Sequence, residues 1–199
     1  MYKIVRKYFF LSIAVLLLLG CSTARTKIQP SEYDNKNSAR LRVFGNNGIG
    51  MVIYPNMNEC PKSSDNGLRV SGKIQQSLNA FLSQQDNISI GMPISDRVKN
   101  PYQSIFGNDF YTESIIPAKP ITIQSTFTSA DHSYCKPITV TFFPEAGKDY
   151  ETVLNIDKID RYCQLKILRI DNDGNSFEDV KTSYYPQCKA PKFEFLKWF

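Results

Sequence analysis

Apolar and polar residues alternate with a period of two along much of this chain, and that period is the signature of a strand with one face buried. Arg40-Leu41-Arg42-Val43-Phe44 alternates cation and apolar side chain. Gly45-Asn46-Asn47-Gly48 carries the residues of a tight hairpin, and Met51-Val52-Ile53-Tyr54 reads as the returning strand, stopped by Pro55-Asn56. The second half is more regular. Strands are expected over residues 110–116, 121–128, 138–142, 149–156, 162–170 and 177–185, separated by Pro117-Ala118-Lys119-Pro120, Pro144-Glu145-Ala146-Gly147-Lys148 and Asp171-Asn172-Asp173-Gly174-Asn175. Phe193-Glu194-Phe195-Leu196-Lys197-Trp198-Phe199 fits a last strand.

Only one stretch has helical spacing. Ile74, Leu78, Phe81 and Leu82 fall on one face of a 3.6-residue period, with Ser71 placed to cap it. Ile88-Ser89-Ile90-Gly91 reads as a short edge strand ended by Pro93, and residues 58–66 and 97–109 read as loops. Many short strands with regular turns and one short helix predict an all-β chain: an antiparallel β-sandwich, immunoglobulin-like or transthyretin-like.

The N-terminus breaks this pattern. Lys3, Arg6 and Lys7 precede an apolar run over residues 9–19, interrupted only by Ser12. A membrane-spanning helix needs roughly 20 apolar residues, so the run has the length of a signal-peptide core. It ends in Leu18-Leu19-Gly20-Cys21, which resembles the lipobox of bacterial lipoproteins. That resemblance implies a diacylglycerol thioether on Cys21 and cleavage before it. It divides the chain into a cleaved signal over residues 1–20, a lipidated polar tether over 21–38 and a single domain over 39–199. Ser22 in place of Asp after the lipidated cysteine implies sorting to the outer membrane, with the domain facing the periplasm.

Composition changes meaning once the signal is set aside. The chain has 199 residues and a formal net charge of +5, and three of its cations lie before Cys21, so the remainder carries about +2. A surplus that small does not point to nucleic acid. Cys60, Cys135, Cys163 and Cys188 are an even set in an oxidising compartment and predict two disulfides. Of the three connectivities, Cys163–Cys188 and Cys60–Cys135 are favoured because they would join neighbouring late strands and pin an early loop to mid-chain. The cysteines form no Cys-x-x-Cys pair and His132 is the only histidine, so no metal site is expected.

Around Pro144-Glu145-Ala146-Gly147-Lys148-Asp149-Tyr150-Glu151, with Ile90-Gly91-Met92-Pro93 before it and Cys163 and Cys188 after, the chain resembles a group of uncharacterised Gram-negative lipoproteins. The resemblance spans most of the domain and carries no functional residues. Its Gly147-x-x-Tyr150 element is similar in logic to the tyrosine corner of Greek-key sandwiches.

Candidate chemistry is sparse. Asp171-x-Asp173-x-Asn175 has the opening rhythm of a calcium loop, but Ser176 and Thr182 stand where Gly and a bidentate Glu belong, so it reads as a hairpin turn. Ser129, Asp131 and His132 are too close in sequence to converge as a triad and read as loop. Glu145, Asp149, Glu151, Asp157 and Asp160 show no acid–base pairing and read as solvated turn residues. Phe193, Phe195, Trp198 and Phe199 are the best candidate partner-binding strip, although their alternation suits a final core strand better. The expectation is a non-enzymatic envelope lipoprotein, without cofactor or catalytic residues, anchored by its lipid and bound to an envelope protein. In architecture it resembles the transthyretin-like lipoprotein of type VI secretion. The alternative is a periplasmic enzyme inhibitor or an enzyme acting on envelope polymers.

Overall fold

The computed structural model describes residues 26–28, 32–45, 49–62, 64–71, 87–101, 103–104, 107–128, 134–157, 162–178 and 180–188. The signal segment, Cys21, the candidate helix after Ser71, residues 129–133 and the aromatic strip from Phe193 to Phe199 lie outside them.

Among the described residues fourteen strands occur in chain order: β1 Thr26–Ile28, β2 Ser38–Gly45, β3 Ile49–Pro55, β4 Leu68–Ser71, β5 Asn87–Ser89, β6 Gln103–Ser104, β7 Gly107–Asn108, β8 Phe110–Pro117, β9 Ile121–Thr128, β10 Tyr134–Phe142, β11 Asp149–Asp157, β12 Tyr162–Ile170, β13 Ser176–Phe177 and β14 Thr182–Tyr184. The helix among the described residues, α1, is a single turn over Asp96–Lys99. One sheet runs β1-β5-β8-β2-β11-β12-β13, and the other runs β14-β10-β9-β3-β4. The two pack face to face as a β-sandwich, with β6 and β7 a separate two-stranded ribbon.

The alternation in each strand explains the core. Ala39, Leu41 and Val43 of β2 face inward, as do Tyr150 and Leu154 of β11 and Leu165 and Ile167 of β12. They meet Ile49, Met51 and Ile53 of β3, Ile121 and Ile123 of β9, and Ile138, Val140 and Phe142 of β10. β2 and β3 lie in opposite sheets, and β2 pairs antiparallel with β8 and in parallel with β11.

That order corrects the hairpin read at Gly45-Asn46-Asn47-Gly48. β2 is flanked by β8 and β11, and β3 lies in the other sheet, paired with β9 and β4; residues 46–48 between them lie outside the described residues. The expected edge strand near Ile88 is interior instead, as β5 between β1 and β8. β1 falls within the stretch expected to be a free tether, and pairs in parallel with β5. The loop expected over residues 97–109 holds most of α1 together with the β6–β7 ribbon. Residues 177–185 form two short strands in different sheets rather than one. β10 begins earlier than expected, passing through a bulge between Cys135 and Ile138, and Pro137, which has no N–H to donate, sits in that bulge.

Two disulfides are present, and their pairing differs from the one favoured above: Cys60–Cys188 and Cys135–Cys163. Sheet membership is the reason. Cys163 lies on β12 and Cys135 on β10, so their bond joins the two sheets at one side of the sandwich. Cys188 follows β14 in the other sheet from Cys163, on the side where the loop after β3 brings Cys60.

Tyr150 behaves as the corner residue expected of it. Its ring is buried, edge-on to Phe142 at 5.3 Å between centroids, and its hydroxyl accepts a 3.0 Å hydrogen bond from the Glu145 backbone N–H.

Candidate functional site

Each outer face of the sandwich is partly covered by chain that crosses it. On the seven-stranded sheet, Arg40 and Arg42 of β2 point away from the core, beside Glu113 of β8 and Asp149 and Glu151 of β11. Such a charged row is ordinarily solvated, but residues 89–95 cross over it as a strap. Arg42 is 1% exposed. Its guanidinium donates to Glu113 Oε1 at 2.6 and 3.0 Å, to the Pro93 carbonyl at 2.7 Å and to Ser95 Oγ at 3.3 Å, and it lies 3.5 Å from Glu151 Oε2.

The carboxylates complete the latch. Glu113 Oε2 accepts from the N–H groups of Ile90 and Met92 and from Ser89 Oγ. Glu151 accepts from Ser95 Oγ at 2.7 Å and Ser176 Oγ at 2.5 Å. Beside them Arg40 grips Asp149 with two bonds of 2.6 and 2.7 Å and donates to the Gly91 carbonyl at 3.0 Å. Burial pulls the Arg40 guanidinium down, but the facing Asp149 carboxylate outweighs it and holds it above its ordinary value. Burial, with Asp149 nearby, likewise raises the Tyr33 phenol, whose ring lies 4.7 Å beneath Arg40.

Asp149 and Glu151 are therefore buried ion-pair partners, not the solvated turn residues expected from sequence. Every charge in this cluster meets an opposite charge or a strap hydrogen bond. Its groups are turned toward one another rather than toward a ligand.

The five-stranded sheet is covered in the same way by the loop between β3 and β4. Thr122 Oγ1 hydrogen-bonds Thr141 Oγ1 at 2.8 Å and the Met57 carbonyl at 2.9 Å, and Gln124 donates to Thr139 Oγ1 at 3.1 Å. The Cys60–Cys188 bond and the Tyr185 hydroxyl, donating to the Asn58 carbonyl at 2.7 Å, fasten the loop down.

The sandwich has an opening at one edge. The chain leaves β13 at the end of one sheet and enters β14 at the end of the other. A cleft of about 490 Å³ lies there, lined by Phe143, Glu145, Tyr150, Arg169, Val180, Lys181 and Ser183. Register explains much of this lining. Tyr150, Arg169 and Phe177 sit opposite one another across β11, β12 and β13, so they share one face. Tyr150 is the buried wall, and Phe177 packs its ring 5.6 Å from the Arg169 guanidinium. Phe143 follows core residue Phe142 and is 63% exposed, while Phe177 and Tyr184 are 41% and 59% exposed. The volume lies within the usual range of ligand pockets, and aromatic side chains beside cations are the residues most often dominant in binding.

Of the residues singled out from sequence, Glu145 lines this cleft, and Asp149 and Glu151 belong to the buried cluster. The Asp171 carboxylate accepts from the Asp173 and Asn175 N–H groups at 2.9 and 2.8 Å, which makes it the organiser of a turn whose Gly174 has φ of +88°. Asp160, Asp131, His132, Phe193, Phe195, Trp198 and Phe199 lie outside the described residues. Sequence reasoning missed Phe143, Arg169, Val180 and Lys181. The Phe142-Phe143 doublet was the available signal, because two successive strand positions face opposite ways.

Comparison with family models, with curated proteins and with solved structures gave no match to this chain.

Proposed function

We propose that the protein is a lipid-anchored lipoprotein of the outer membrane, facing the periplasm, whose domain is a non-enzymatic interaction or envelope-assembly module. The observation that carries the interaction reading is the edge cleft, where exposed Phe143 stands beside Arg169 and Lys181. Two disulfides suit an oxidising compartment, in keeping with the signal-like N-terminus and Cys21. The reading is preferred to an enzyme because the buried carboxylates Glu113 and Glu151 are spent on Arg42 and the strap, away from the cleft. In-cell crosslinking followed by purification of the membrane-anchored protein tests it. One protein partner recovered in stoichiometric amount supports the module; turnover of an envelope polymer by the pure protein would replace it with the enzyme reading.

A further inference from the structure

The first strand begins very close to the candidate lipidation site. As a free tether, residues 21–38 would let the domain range about 60 Å from a lipid on Cys21. But β1 pairs with β5 through Thr26–Asn87, Lys27–Ile88 and Ile28–Ser89, so the sandwich already starts at Thr26. Only residues 22–25 separate it from Cys21. The step from Cys21 to Thr26 spans at most about 18 Å, whatever conformation those residues take. β1 is also the terminal strand of the seven-stranded sheet, and among the described residues no strand lies beyond it. A lipid on Cys21 is therefore leashed to one edge of the sandwich.

The cleft lies at the other edge. Strand order puts β12 five spacings from β1, and β13 six. At the usual distance between paired strands, Arg169 on β12, which lines the cleft, stands about 24 Å from β1. That is farther than the leash extends. Between the two edges, each face of the sandwich carries chain that stands out from it. On one face this is the strap over residues 89–95, and on the other it is the loop that holds Met57. With so short a leash, the β1 edge meets a bilayer before either face does.

We infer that β1 seats the sandwich edge-on against the anchoring lipid surface, with the cleft at the opposite edge turned toward the aqueous compartment. β1 thus serves as the membrane-proximal strand, and the occupant of the cleft approaches from the side away from the anchoring leaflet. The inference rests on the lipid-anchored reading and adds to it which edge faces the lipid.

The test measures height above the bilayer at two exposed positions of the full-length lipidated protein. p-Azidophenylalanine replaces Lys119, in the turn after β8 near the β1 edge, or Phe143 at the cleft, and carries a dye. Melting midpoints equal to the parent's show that both variants fold. The protein is reconstituted into phosphatidylethanolamine–phosphatidylglycerol vesicles whose headgroups bear a spin label that quenches nearby dyes. The expected result is strong quenching at Lys119 and little at Phe143. A flexible Gly-Ser spacer inserted between Ser22 and Thr23 should lower the Lys119 quenching to the Phe143 level. Equal quenching at the two positions means that the sandwich lies on a face or swings freely, and it overturns the inference. Stronger quenching at Phe143, or quenching at Lys119 that the spacer leaves unchanged, overturns it as well. Flotation with the vesicles and palmitate incorporation report the anchor separately. A protein that carries the acyl chains and floats, yet quenches equally at both positions, loses this inference alone. A protein without acyl chains loses the lipoprotein reading and this inference with it.

Discussion

Arg42→Leu removes the one guanidinium that lies between Glu113 and Glu151 and leaves both carboxylates beneath the strap. An uncompensated buried charge of this kind costs about 3–5 kcal/mol, a large part of a domain's whole stability. Urea unfolding of Arg42→Leu should show a loss of that order. Restoring part of it in the double variant Arg42→Leu, Glu113→Leu would confirm that the stranded carboxylate, more than the lost packing, causes the damage. A single-variant loss below about 1 kcal/mol, the value of an exposed pair, would contradict the buried geometry. The alternation in residues 40–44 was enough to assign Leu41 and Val43 to the core, and they are there. It could not show that Arg40 and Arg42 are covered. The cover is a strap some fifty residues later in the chain, and a charged alternate face reads the same whether it meets water or an ion-pair network.

Turns and strands differ in how much of them is local. β8, β9, β11 and β12 fall close to where their periodicity placed them, because each is long and bounded by Pro, Gly or Asp. Pairing partners depend on which sheet edges remain open, and that is why β3 leaves β2 and why the favoured disulfide pairing failed. The turn after β12 is local in the same sense as the long strands. The Asn175 side-chain amide, followed by the N–H groups that Asp171 accepts, holds the Asp171 carboxyl below the usual aspartate range. A depressed folded-state pKa means that its stabilisation is present above the unfolded-state value and is lost as pH falls through the folded-state value. Asp171→Ala should therefore lower the melting midpoint near neutral pH, with the gap from the parent closing below about pH 4; a gap constant with pH would argue against the carboxylate. The cystines are the longer-range element. Cys60–Cys188 spans 128 residues of sequence and Cys135–Cys163 spans 28, so loop closure alone gives about 5 and about 3.5 kcal/mol. Proteolysis without reduction should release one peptide pair joining Cys60 to Cys188 and one joining Cys135 to Cys163. Fragments joining Cys60 to Cys135 would restore the pairing favoured from sequence.

At the scale of the whole molecule the domain and its attachment are separable. The described sandwich fastens its own strap and loop across parts of its two faces and holds its two cystines without Cys21. Its edge cleft does not need a membrane to exist. If Cys21 carries acyl chains, each buried methylene adds about 0.8 kcal/mol to membrane affinity, and two or three chains make the attachment effectively permanent. The formal surplus of about +2 after the signal region is too weak to replace them on an anionic surface. Cys21→Ala should thus abolish labelling by radioactive palmitate and move the protein away from the lipid-anchored fraction, while both cystines and the melting midpoint of the domain stay as in the parent. The two readouts separate two ways of being wrong. Palmitate entering the Cys21→Ala protein would show acylation elsewhere and remove the lipobox reading. A protein that loses palmitate yet stays with the membrane would instead be held by residues 9–19 as an uncleaved apolar segment. In that case the strands that begin with β1 would follow a transmembrane anchor rather than a lipid.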